Sequence, residues 1–174
     1  MRYASIREMD ITNGEGIGVS LFVQGCHFHC PGCFNPETWD FNGGKEWTPE
    51  IEKEFIELAG RNYVQRISIL GGEPLADENC IDVLNLIGWL KTAYPNKKIW
   101  LYTGYKFEDL LENYSITKML SIVSVDVLVD GQFEIDKQDL FNKSIVWAGS
   151  TNQRIISPYL SCVYGKIVPY LVEE

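Results

Sequence analysis

The sequence predicts an α/β protein: an open, partial (β/α) barrel of parallel strands in a single compact domain. Three observations carry that expectation. Short β-branched runs alternate with stretches of helical periodicity, the mark of parallel strands joined by crossover helices. Each unusual motif follows directly on one of those runs, where the open edge of such a sheet collects functional groups. The chain has 174 residues, whereas a closed eight-stranded barrel takes about 250.

The elements follow in order. After a short opening segment, Asn13-Gly14-Glu15-Gly16-Ile17-Gly18 reads as a glycine-rich turn. It precedes a strand instead of following one, so it is not a nucleotide fingerprint. Residues 19–24, β-branched and aromatic, form the first strand and lead straight into a loop containing Cys26, Cys30 and Cys33. An irregular aromatic stretch, residues 34–41, closes on a Gly43-Gly44 turn. Thr48 then caps a helix with Pro49 at its first position and Glu50 and Glu52 at its positive end. Ile51, Phe55, Leu58 and Ala59 share one face of it, and Gly60 ends it.

A second strand, residues 66–70, runs into Gly71-Gly72-Glu73-Pro74. The helix after it sets Val83, Leu84, Ile87 and Leu90 at helical spacing. Residues 98–102 form a third strand, followed by Thr103-Gly104. Helical material lies around 107–111 and 117–120. A fourth strand, 125–129, ends on Asp130-Gly131, and a weaker fifth, 144–147, precedes Gly149-Ser150-Thr151-Asn152-Gln153-Arg154.

Composition excludes some functions. Hydrophobic residues at 45% and charged residues at 22% are those of an ordinary globular protein. A net charge of -9 argues against a nucleic-acid groove or an anionic membrane surface. The N-terminus has no apolar signal core and no run is long enough to span a bilayer, so a cytoplasmic protein with reduced thiols is expected.

The cysteine loop holds three of the chain's 5 cysteines. Thiolates are soft ligands, and in a reducing compartment such a group more often binds metal than forms disulfides. An iron–sulfur cube normally takes four cysteines, so three would leave one iron open for chemistry. The other reading is a zinc knot completed by His27 or His29, although no second ligand pair exists. Cys80 and Cys162 read as a small apolar residue or a spare thiol. Gly71 and Gly72 bare a strand end to a ligand, with Glu73 beside them for an ammonium group, or they form a tight turn. Thr103 shares that edge. Asp130 is either a ligand-orienting carboxylate or a turn residue. Asn152 and Arg154 could anchor a carboxylate or ribose, or Arg154 could pair with an internal acid.

The C-x3-C-x2-C loop after the first strand and the Gly-Gly-Glu-Pro after the second resemble the radical S-adenosylmethionine superfamily. The chain resembles one branch more closely still, the anaerobic ribonucleoside-triphosphate reductase-activating branch, through residues 13–17, 19–26, 30–39, 100–105, 126–131 and 149–154. The resemblance implies a 4Fe–4S cluster on Cys26, Cys30 and Cys33, with S-adenosylmethionine on the fourth iron. It implies an electron from reduced flavodoxin or a similar donor, reductive cleavage to a 5′-deoxyadenosyl radical, and hydrogen abstraction from a glycine Cα. That glycine would lie in the large subunit of anaerobic ribonucleoside-triphosphate reductase. By the same likeness Gly71, Gly72 and Glu73 hold the methionine end, and Gly32, Cys33 and Phe34 pass close to the adenosine. No side-chain acid or base is required. Gly18 stands where that branch commonly carries arginine, and Gly32 where many superfamily members carry an aromatic residue. The likeness covers residues 1–156 as an activating domain and leaves 157–174 as an extension. Radical chemistry on a small molecule and a non-catalytic zinc-stabilised module are the alternatives.

Overall fold

A seven-stranded mixed sheet organises the computed structural model, which describes residues 1–112, 115–139 and 146–171. Its strands are β1 (Arg2–Asp10), β2 (Gly18–Val23), β3 (Lys45–Glu46), β4 (Arg66–Gly71), β5 (Lys98–Thr103), β6 (Val127–Asp130) and β7 (Arg154–Ile156). The helices are α1 (Pro49–Ala59), α2 (Cys80–Ala93), α3 (Phe107–Glu112), α4 (Ile116–Val123) and α5 (Pro158–Tyr164). Across the sheet the order is β3-β1-β2-β4-β5-β6-β7.

The four central strands, β2, β4, β5 and β6, are parallel, as the alternation of strand and helix requires. The flanks depart from an all-parallel sheet. β1 runs antiparallel to both β2 and β3, and β7 antiparallel to β6. The opening segment is therefore a nine-residue strand. Its polar residues hide the signal, because an outer strand needs less apolar sequence than a central one. Of the expected fifth strand, residues 144 and 145 lie outside the described residues, and Val146 and Trp147 are in a turn. The outermost strand is instead Arg154–Ile156.

Local chemistry explains the helices. Thr48 caps α1 by accepting a hydrogen bond from Ile51 N at 3.4 Å, with Pro49 at its first position, and Phe55, Leu58 and Ala59 are buried. α2 buries Val83, Leu86, Ile87 and Leu90, while Leu84 is only half-buried. The helices pack on one face of the sheet, against Val19, Leu21, Val23, Ile67, Ile69, Ile99, Leu101 and Leu128. Each fully buried aliphatic side chain contributes roughly 1.5–3 kcal/mol. None of the described helices is long and apolar enough to cross a membrane.

The alternate side chains face away from the helices. There Trp100, Val127 and Val129 make a separate aromatic-aliphatic cluster with Trp147, Ile155 and Tyr170. Towards the C-terminal strand ends this face opens into a cavity.

Candidate metal and cofactor site

Register places the motifs together. β2 and β4 pair from Gly18 opposite Arg66 to Val23 opposite Gly71, so the cysteine loop and the glycine pair leave the sheet side by side. Thr103, at the end of β5, pairs in turn with Asp130.

The cysteine loop is stitched down at its stem. Gly25 N donates to Thr38 O at 2.7 Å and Cys26 N to Trp39 O at 3.1 Å. Asn79, buried at the start of α2, donates to Gln24 O at 2.9 Å and to Glu73 O at 3.0 Å. At its far end Cys30-Pro31-Gly32-Cys33 forms a tight turn. Cys33 N donates to Cys30 O at 3.1 Å, and Gly32 has φ 72°. Proline second and a left-handed glycine third are what a type II turn demands. Both histidines are engaged elsewhere: His27 stacks on Phe41 and His29 on Trp39, with centroids 4.4 and 4.7 Å apart. His27 Nε2 also lies 3.2 Å from Glu78.

Glu73 joins the two neighbouring strand ends. Its Oε1 accepts from Leu75 N and from Thr103 Oγ1, and its Oε2 from Gly104 N, all at 2.8 Å. The side chain is 1% exposed. Burial pushes its carboxyl up to about 7, against three hydrogen bonds that favour the charged form. The absent side chain of Gly72 leaves the space that the Gly25 backbone fills, and an added Cβ at Gly71 would come within 2.7 Å of Phe22 Cα. The glycine pair thus allows the two loops to touch.

A cavity of about 400 Å³ opens on this edge. Cys26, Cys30, Cys33, Phe34, Gly71, Gly72, Glu73 and Thr103 line it. Gly32 packs instead against Ile135. Asp130, Asn152 and Arg154 border an adjoining polar recess. Arg154 pairs there with Asp130 and, at 2.6 Å, with Glu108, and Asn152 Nδ2 donates to Gln132 O at 2.8 Å. Phe28 stands between the two, its ring over Gly104 and edge-on to Tyr105.

Sequence reading did not single out Arg7, Thr12, Phe22, Phe28 and Tyr102 on the cavity wall. Arg7 belongs to β1, the strand concealed by its polar composition, and its guanidinium lies 4.5 Å from the centre of the Phe22 ring. Strict alternation along β2 and β5, starting from the buried Leu21 and Leu101, would have turned Phe22 and Tyr102 to this face.

The donor set suits a multi-iron group. Three thiols share one cavity, while Cys80 is buried on α2 and Cys162 exposed on α5. Burial pushes the Cys26 and Cys30 thiols up. Among the described residues no three His, Cys, Asp or Glu side chains gather as ligands of a single ion would. A cube of four irons holds its thiolates further apart than one ion does. The Tyr102 hydroxyl, on the same cavity, is buried without a partner among the described residues.

Comparison with known proteins points to the same kind of group. Residues 12–156 match the family described as a 4Fe-4S single cluster domain. The chain is 40% identical to the anaerobic ribonucleoside-triphosphate reductase-activating protein of Enterobacteria phage T4, over 90% of this chain and 94% of that protein. It is 39% identical to the proteins of the same name from Salmonella typhimurium and Escherichia coli K12, over 88% of this chain and 96% of each.

Proposed function

Because this chain belongs to the family of anaerobic ribonucleoside-triphosphate reductase-activating proteins, we propose that it is the enzyme that installs a glycyl radical in such a reductase. The observation that carries the reading is one cavity lined by three cysteine thiols, the Gly71-Gly72-Glu73 turn and Thr103.

In this reading Cys26, Cys30 and Cys33 hold a 4Fe–4S cluster, with S-adenosylmethionine beside it. When bound, the two supply one-electron cleavage chemistry that the polypeptide lacks. The chain's own contribution is placement. Backbone groups of Gly71, Gly72 and Glu73 meet the methionine end, and the loop from Gly32 through Cys33 to Phe34 passes the adenosine. Glu73 fixes the relative position of the β4 and β5 ends through Thr103 and Gly104. Phe22, Phe28 and Phe34 wall the cavity against water. Asp130, Asn152 and Arg154 support this edge from the adjoining recess. No side chain is asked to move a proton.

The partners are the reductase's large subunit and reduced flavodoxin or a similar one-electron donor, in the cytoplasm. Residues 1–156 make the activating domain. We read the sheet as the open, partial barrel of such enzymes; the four parallel strands, with the cavity at their C-terminal ends, support that reading.

The test is anaerobic reconstitution with iron and sulfide, then reduction with S-adenosylmethionine and the reductase's large subunit. The expected result is a brown protein, released 5′-deoxyadenosine and a glycine-centred signal in electron paramagnetic resonance. A colourless protein holding stoichiometric zinc overturns the reading. Nucleoside release without a protein radical moves the activity to a small molecule.

A further inference from the structure

The family match ends at residue 156, yet the chain beyond it does not hang free. Antiparallel hydrogen bonds lay it beside β7: Ser157 N donates to Val168 O and Tyr170 N to Ile155 O, both at 2.9 Å, with Ile156 bridged to Pro169. Ile167 packs against the core on the helical face of the sheet, and Tyr170 against the cluster on the opposite face. The segment therefore folds round the free edge at β7.

Tyr170 reaches further. Its ring meets Trp100 edge-on, centroids 5.4 Å apart. Its hydroxyl donates to Glu15 Oε2 at 2.8 Å and accepts from Lys98 Nζ at 2.7 Å, and Lys98 lies 3.6 Å from the same Glu15 carboxylate. Glu15 sits in the glycine-rich loop between β1 and β2. Three and two residues earlier, Thr12 and Asn13 of that loop line the cavity that the cysteines also line. The loop's other ties come from within the family match, including Ser68 Oγ to Asn13 O at 2.6 Å and Ile17 N to Gln65 Oε1 at 3.1 Å.

We propose that residues 166–171 are a strap and that Tyr170 is a positioning residue, setting the loop at 12–18 against the cavity through Glu15. Two hydrogen bonds converge on one hydroxyl beside a buried tryptophan, so the strap adds a restraint on the loop to the one that Ser68 supplies. Its effect on the reductase rests on the function proposed above. The strap itself rests on contacts alone. Thr12 and Asn13 line the cavity that the reductase's glycine must reach in the proposed function, so loosening them weakens docking and leaves the cleavage chemistry in place.

The experiment compares the full chain with Tyr170→Phe, Glu15→Ala and the double variant, first as metal-free protein by hydrogen–deuterium exchange. Losing one such hydrogen bond speeds exchange of the amides at 12–18 about fivefold. Exchange in the cysteine loop stays unchanged, the denaturation midpoint falls by no more than the loss of that one bond accounts for, and Tyr170→Phe adds nothing once Glu15 is alanine. With the reductase, the activating-protein concentration giving half-maximal radical rises about fivefold, while the plateau is retained. Unchanged exchange at 12–18, acceleration spread over the whole sheet, or additive single variants each overturn the proposal. If the unaltered protein makes no glycyl radical, the reductase reading fails and the exchange data alone decide the strap.

Discussion

Gly18 stands directly opposite Arg66 in the parallel pairing of β2 with β4, and the arginine fills the volume that a side chain at 18 would need. An added Cβ would come within 2.6 Å of both Arg66 Cγ and Nη1. The arginine cannot swing away. It is 1% exposed, with Nη1 donating to Ser68 Oγ at 2.6 Å and Nη2 to Asp10 O at 2.8 Å. Gly18 thus has a reason in this chain: a guanidinium arrives from the neighbouring strand and fills the side-chain volume.

Gly18→Ala is therefore expected to destabilise the fold by about 1–3 kcal/mol through overpacking. In an Arg66→Ala background the same change should cost almost nothing, because the obstacle is gone. Denaturant unfolding of the four proteins measures the coupling. Equal penalties in both backgrounds would show that the clash is relieved some other way.

Glu73 makes stability depend on pH. Its carboxyl titrates at about 7 when folded, against 4.5 as its ordinary value, because burial disfavours the charge. A raised acid gives its full stabilisation below the unfolded value and loses it as pH rises through the folded one. The stability difference between wild type and Glu73→Gln in metal-free protein should shrink from pH 4.5 to pH 7 and then level off. The total change is on the order of 3 kcal/mol. A difference independent of pH would mean the three hydrogen bonds keep Glu73 ionised throughout.

Much of this edge was legible because each signal was local. Pro31 and Gly32 dictate their turn, Thr48 and Pro49 their helix start, and apolar runs the four parallel strands. The cysteines' own spacing puts three thiols in one loop, and that loop carries all three to one cavity. What stayed hidden depends on residues far apart in the chain. β1 is polar because it lies outside the central parallel strands, and β7 is three residues long, so neither has a periodic signature. Asp130 reads as a ligand-orienting carboxylate or a turn residue and Arg154 as an anchor or the partner of an internal acid; the antiparallel pairing of β6 with β7, which sets them opposite each other, names that acid. The contact of Tyr170 with Glu15 spans 155 positions, and nothing local announces it.

That pairing carries its own prediction. Asp130 is wholly buried, accepts from Phe107 N at 2.8 Å and is paired with Arg154. Arg154→Met leaves a buried carboxylate without its cation, at a cost of about 3–5 kcal/mol. Asp130→Asn in the same chain should recover part of that loss, whereas two independent residues would give additive penalties. Glu108, on the same guanidinium, is held down at about 2 by its hydrogen bond from Arg154. Its contribution is complete above its ordinary 4.5 and disappears as pH falls towards 2. Because Glu108 is half exposed, that share stays below about 1 kcal/mol.

The cysteines separate by position instead of by chemistry. Cys26, Cys30 and Cys33 line one cavity, while Cys80 and Cys162 lie on helices away from it. Replacing any one of the three with alanine should reduce iron and sulfide to background after reconstitution, because a cube held by two thiolates is readily lost. Cys162→Ala should load fully, and Cys80→Ala should load fully at a modest loss of stability, its side chain being buried. Iron analysis and visible absorbance on all five variants decide the matter. Retained iron in a Cys30→Ala protein would require a replacement ligand, and His29 and His27 are then the first residues to change, since freeing either from its aromatic neighbour could bring a ring nitrogen to the vacated position.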